Sequence, residues 1–156
     1  MDINRRYLEV AEARLTAIGR QVHLVCGDVL EVELPDAPFD LIHAALLLEY
    51  VDPVALFRRV RGWLAPSGRI SVVIQEPVAG TPAVSTTRYE SLRTLSGTME
   101  LRSAPEVASL GSREGFVCES RLALELPGGK VLTLMLFRTA SAARSAAAAG
   151  ERASGN

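Results

Sequence analysis

The chain has 156 residues, a formal net charge of -1 and a hydrophobic fraction of 48%. That length holds one domain more comfortably than two, and the apolar share suits a packed core and excludes a wholly disordered chain. The near-neutral charge provides no basic field for nucleic acid or an anionic membrane. No apolar run approaches the roughly 20 residues that a membrane span needs. The opening "MDINRR" lacks the apolar stretch of a secretion signal, so a soluble, cytoplasmic protein is expected.

In chain order, "NRRYLEVAEARLTAIG" places Leu8, Ala11, Leu15 and Ile18 on one stripe, which predicts a helix capped by Asn4 and ended by Gly19. Val22 to Cys26 ("VHLVC") reads as a short strand, and "GDVLEVELPDAP" as a loop. Phe39 to Leu48 is so continuously apolar that a strand covered on both faces is expected, with His43 packed inside it. Asp52-Pro53 starts a helix whose inward stripe is Val54, Phe57, Val60 and Leu64, with Arg58, Arg59 and Arg61 on a solvated face. Pro66 stops that helix, Ser67-Gly68 turns the chain, and Arg69 to Gln75 forms the next strand. Strand, helix and strand in alternation mark an α/β protein.

Beyond it, "STTRYESLRTLSG" is compatible with a helix, and Ser103 with Glu106 forms a capping box for another. "FVCESRLALEL" and "VLTLMLFR", separated by Pro127 to Lys130, predict an antiparallel hairpin with the first strand at the edge and the second inside. Residues 1–139 read as one partial domain and 140–156 as an Ala/Ser/Arg-rich tail without hydrophobic anchors, expected to be disordered. Cys26 and Cys118 stand apart in apolar runs, which predicts two buried thiols and no zinc site.

Several stretches together resemble the class I S-adenosylmethionine-dependent methyltransferases over about residues 2–138. Asp2-Ile3-Asn4 before a helix resembles the acidic end of that family's second strand. "LVCGDVLEVELPDAPFDLI" is similar to its passage from third to fourth strand. "LLLEYVDPVALFRRVRGWLAPSGRISVVI" is similar to its fourth strand end, helix, turn and fifth strand, and "REGF" precedes the hairpin as it does there. The implied fold is α/β, a Rossmann-like, mostly parallel sheet closed by an antiparallel hairpin. It is expected to be N-terminally truncated, because the first strand, the glycine-rich loop and the first helix would all lie before Asp2. Without the first strand, the edge of the fourth is expected to be open to a second copy or another partner.

The resemblance implies S-adenosylmethionine as cofactor. Asp2, with Ile3, would accept from the ribose hydroxyls; Asp28 would accept from the adenine amine, and the Val29 N–H would meet the ring. The plainer alternatives are a helix cap for Asp2 and a turn aspartate for Asp28. Glu49 and Tyr50 would face the acceptor, with Glu76 a further substrate-side candidate; the alternatives are a half-buried loop pair and a surface turn. No catalytic residue is assigned, since methyl transfer from a sulfonium rests on positioning and desolvation. A small-molecule acceptor is expected, with no metal and no nucleic-acid partner. Two other readings stay open: a non-catalytic methyltransferase-like interaction module, and a fragment of a nicotinamide-dependent Rossmann reductase, against which the closing hairpin argues.

Overall fold

The computed structural model describes residues 1–15, 22–34, 36–85 and 97–140. The chain divides into two compact units, Met1–Pro35 and Asp36–Asn156, taken separately below. The expected helical stretch at 86–96, the Gly19 stop and the tail from 141 lie outside the described residues.

In the first unit, helix α1 spans Arg5–Leu15 and buries Leu8. Its start is doubly capped: the Asn4 side chain accepts from the Arg6 N–H at 3.0 Å, and Asp2 Oδ1 accepts from the Asn4 N–H at 2.7 Å. The expected strand at Val22 to Cys26 reduces to one parallel bridge between Asp2 and Cys26. The Asp2 N–H donates to Val25 O, and its carbonyl accepts from the Gly27 N–H, both at 3.1 Å. The ladder stops there because the chain turns into the cap of α1 two residues after Asp2 and so offers no longer edge.

The second unit carries a four-stranded sheet. Its elements are β1 (Phe39–Ala45), α2 (Pro53–Trp63), β2 (Leu64–Gln75), α3 (Ala104–Arg113), β3 (Phe116–Glu125) and β4 (Val131–Thr139). The spatial order is β1-β2-β4-β3. β1 and β2 are parallel, while β2–β4 and β4–β3 are antiparallel, so among the described strands one pairing of three is parallel. The hairpin forms as its sequence predicts, with β4 inside and β3 at the edge. Gly128 and Gly129 turn the chain at φ 91° and 80°, backbone that a side chain would strain.

Asp52 caps α2, accepting from the Val54 N–H at 3.0 Å, with Pro53 in the first turn. The helix buries Leu56, Phe57, Val60 and Trp63. Leu56 and Trp63 therefore join the expected stripe, while Val54 is only half-buried. The helix ends at Trp63, before Pro66, and β2 starts at once. The β1–β2 register then jumps from Phe39↔Leu64 to Leu41↔Arg69. Gly68 permits this jump: a Cβ there would lie 2.7 Å from Phe39 O.

One face of the sheet supplies the core. Ile70, Val72 and Ile74 of β2 and Met135 and Phe137 of β4 are almost fully buried. α2 packs on α3 and β2, and α3 on β3. Phe57 lies 5.1 Å from Phe116 and 5.2 Å from Phe137, the latter edge-on. Gly111 lets α3 approach these rings, since a Cβ there would meet both Phe57 and Phe137 at 3.2 Å.

Four expectations are corrected. β1 is not covered on both faces: Ala44 is its only buried residue and Leu41 is 62% exposed. Among the described residues it pairs on one side alone, with β2, and the apolar run owes part of its length to Leu46–Leu48, which form a turn. His43 is exposed and its Nδ1 lies 3.1 Å from Ser71 Oγ. The thiols are not buried: Cys26 is exposed at its isolated bridge, and Cys118 is half-buried where β3 bulges. The arginines of α2 are not simply solvated. Arg58 pairs with Glu114 at 3.1 Å, Arg61 donates to Glu114 O, and Arg59 lies over Trp63.

Candidate functional site

Both units place predicted site residues at the carboxyl ends of parallel segments, where open α/β sheets bind ligands. In the first unit, the bridge between Asp2 and Cys26 sets Asp2 and the turn beginning at Asp28 on neighbouring parallel segments. Each aspartate holds its own loop. Asp2 Oδ1 accepts from the N–H of Asn4, and Asp28 Oδ1 from the N–H of Leu30 at 2.8 Å. Asp28 O also accepts from the N–H groups of Glu31 and Val32. Ile3 is 74% exposed and Val29 half-buried.

In the second unit, the site grows from the end of β1. Leu46 adopts a left-handed φ of 51° and donates its N–H to Val73 O at 2.8 Å. That conformation is uncommon for leucine and carries local strain. It turns the chain sharply off the strand, so that Leu48 and Glu49 are buried while Tyr50 stays 42% exposed. Glu49 is 2% exposed. Its Oε1 accepts from the Gln75 N–H at 2.7 Å, whereas Oε2 is buried with no hydrogen-bond partner.

Residues 98–102 close the other side. The Glu100 N–H donates to Glu49 O at 2.8 Å, and Arg102 Nη1 donates to Leu48 O at 2.8 Å. Arg102 also pairs with the Glu100 carboxylate and approaches Glu106 at 3.8 Å. The result is a cleft of about 370 Å³ lined by Glu49, Tyr50, Val51, Asp52, Thr98, Glu100 and Arg102. Thr98, Glu100 and Arg102 were not legible from sequence. They stand about fifty residues from Glu49, and nothing in "SGTMELR" signals that distant pairing.

Burial pushes the Glu49 carboxyl above its ordinary 4.5, against the lowering effects of the Gln75 N–H, its own N–H and the Arg102 charge. Tyr50 is raised too, by burial and then by the neighbouring Glu49. The consequence for stability has a definite sign. Above about pH 4.5 the unfolded chain has released this proton and the folded chain still holds it, so stability falls as pH rises through that window. Glu49→Gln is neutral throughout. Its urea midpoint should therefore gain on the wild type as pH goes from about 4 to about 7.5; a constant difference between the two proteins would contradict this environment for Glu49.

Glu76 has both carboxylate oxygens engaged within the fold. Thr133 Oγ1 donates to Oε1 at 2.6 Å and the Ala104 N–H donates to Oε2 at 3.3 Å. It thus joins β4 to the start of α3. Among the described residues, no group of three or more His, Cys, Asp or Glu side chains is arranged to hold a metal. No described helix is long and apolar enough to cross a membrane.

Comparison with known proteins agrees with this geometry. Residues 1–72 match the family model for a methyltransferase domain. Among solved structures, the pyocyanin biosynthetic protein PhzM is 24% identical with a TM-score of 0.60, covering 88% of this chain and 42% of its own. The 1,6-didemethyltoxoflavin-N1-methyltransferase of Burkholderia thailandensis, solved with S-adenosylhomocysteine, is 19% identical with a TM-score of 0.64, over 83% of this chain and 56% of its own. The [4+2]-cyclase SpnF is 15% identical with a TM-score of 0.67, over 88% and 64%. No curated protein matches. The chain spans less than half the length of PhzM. Sheet order, hairpin and family match together place it in the class I S-adenosylmethionine-dependent methyltransferase fold.

Proposed function

We propose that the chain is part of an S-adenosylmethionine-dependent methyltransferase acting on a small molecule. The observation that carries this reading is the buried Glu49 at the end of β1, beside an exposed Tyr50 and a cleft large enough for a small ligand. The small-molecule methyltransferases among the structural neighbours support it.

The residues of the first unit fit the cofactor. Asp2 and Asp28 each have one carboxylate oxygen fixed by a local N–H, which presets the orientation of the other as an acceptor. Asp2 would take the ribose hydroxyls, with Ile3 beside it, and Asp28 the adenine amine, with the Val29 N–H toward the ring. The cofactor supplies an electrophilic methyl on a sulfonium. The chain's own residues bind, orient and exclude water. Glu49 orients the acceptor and receives its proton as the lone pair takes the methyl, and Tyr50 stacks on or hydrogen-bonds the acceptor. Glu76, tied to Thr133 and α3, would act on the substrate side by holding the wall behind the cleft.

Calorimetric titration with S-adenosylhomocysteine tests the reading. Saturable binding that Asp2→Asn and Asp28→Asn each weaken about tenfold, near 1.4 kcal/mol, is the expected result. Absence of binding at millimolar ligand would remove the cofactor from this chain. A second reading, binding without methyl transfer, draws on the cyclase that shares the fold. It predicts cofactor binding with no label transferred from methyl-labelled S-adenosylmethionine.

A further inference from the structure

Glu49 Oε2 is the one carboxylate oxygen that the described structure reports as buried and without a partner. An unsatisfied buried polar atom is costly, and a carboxylate oxygen more so. The neighbouring cation does not relieve it. Arg102 donates to Leu48 O at 2.8 Å and Glu100 O at 3.3 Å, pairs with the Glu100 carboxylate and lies near Glu106. Turning the guanidinium toward Oε2 would break those contacts. The Gln75 N–H is committed to Oε1. The remaining source of a donor is a molecule in the cleft that Glu49 lines.

The shape and charge of the cleft narrow the class of that molecule. A cavity of roughly 150 Å³ admits benzene, so about 370 Å³ has room for one or two rings. Tyr50 offers an exposed aromatic surface on which a ring can lie. The lining carries three carboxylates, Glu49, Asp52 and Glu100, against the single charge of Arg102, and so disfavours an anion. We propose that the cleft selects a ring compound bearing a hydroxyl or amino group, whose O–H or N–H donates to Glu49 Oε2. This rests on the placement of the methyl acceptor at this cleft, and it assigns the acceptor to the phenols and aromatic amines.

Amide-resolved NMR titrations of the full chain with phenol, aniline, anisole and benzoate test the proposal. Anisole keeps the ring and the oxygen of phenol but has no donor; benzoate keeps the ring and adds a negative charge. Phenol and aniline should shift the Glu49, Tyr50, Thr98 and Glu100 amides saturably in the millimolar range, with anisole at least about tenfold weaker and benzoate silent. Glu49→Gln, which keeps an acceptor for the Gln75 N–H, should weaken phenol about tenfold by removing the charge from the acceptor. Anisole binding as well as phenol, benzoate binding best, or no shift at these amides up to about 20 mM phenol would each overturn the proposal. The S-adenosylhomocysteine titration is independent of these probes. Cofactor binding with no preference for donor rings defeats the assignment of the acceptor and leaves the methyltransferase reading standing. Donor-ring selectivity without cofactor binding does the reverse.

Discussion

Phe57→Ala should lower the stability of the Asp36–Asn156 unit by about 3–5 kcal/mol, seen as a fall in the urea midpoint at unchanged slope. Phe57 is 1% exposed and touches rings from both the last strand and the start of the hairpin, with centroids 5.1 and 5.2 Å away. Its removal leaves a cavity where α2, α3 and the sheet meet. A domain of this size has about 5–15 kcal/mol in total, so one truncation consumes a large part of it. The geometry also predicts a particular coupling. Gly111→Ala alone crowds Phe57 and Phe137, because its Cβ would meet both at 3.2 Å. In the Phe57→Ala background one of those contacts is gone, so Gly111→Ala should cost less there than in the wild type. A loss below about 1 kcal/mol for Phe57→Ala would mean that this aromatic cluster is not the core.

Glu76→Ala should cost about 1.5–3 kcal/mol, the next largest effect. Its carboxylate accepts from Thr133 Oγ1 and from the Ala104 N–H, and Thr133 is 2% exposed. Removing the carboxylate leaves the Thr133 hydroxyl buried without that partner and frees an N–H at the start of α3. Ser103 does not replace it, since its side chain accepts from Glu106 instead. Glu76→Gln, with an oxygen still available, should recover part of the loss. A double-mutant cycle with Thr133→Ala measures the coupling directly, and a coupling near zero would contradict the joint.

Much of the fold was legible because its signals are local. Asp52-Pro53 specifies a helix start by a side-chain cap and a missing N–H, and α2 begins there. Pro127 to Lys130 between two apolar runs allows only a hairpin, and β3 and β4 form one. Ser103 caps α3 as its spacing with Glu106 predicts. The errors arose where an element depends on its neighbours. Val22 to Cys26 has strand composition, but a strand needs an edge to pair with, and a single bridge to Asp2 is what it finds. Phe39 to Leu48 has interior composition, but its burial depends on what covers it, and Leu41 of β1 stands exposed.

The candidate site divides in the same way. By itself the sequence determined which residue types stand at the ends of the parallel segments: Asp2, Asp28, Glu49 and Tyr50 follow from chain order and strand periodicity. Tertiary structure alone decided their environments. The left-handed turn at Leu46 buries Glu49, the Gln75 N–H from β2 holds one of its oxygens, and the 98–102 segment closes the cleft with Arg102. Periodicity reports which face a residue takes within its own element. Burial, an unsatisfied oxygen and a raised carboxyl pKa are properties of groups brought together from positions 49, 75 and 102, and local sequence carries no term for that meeting.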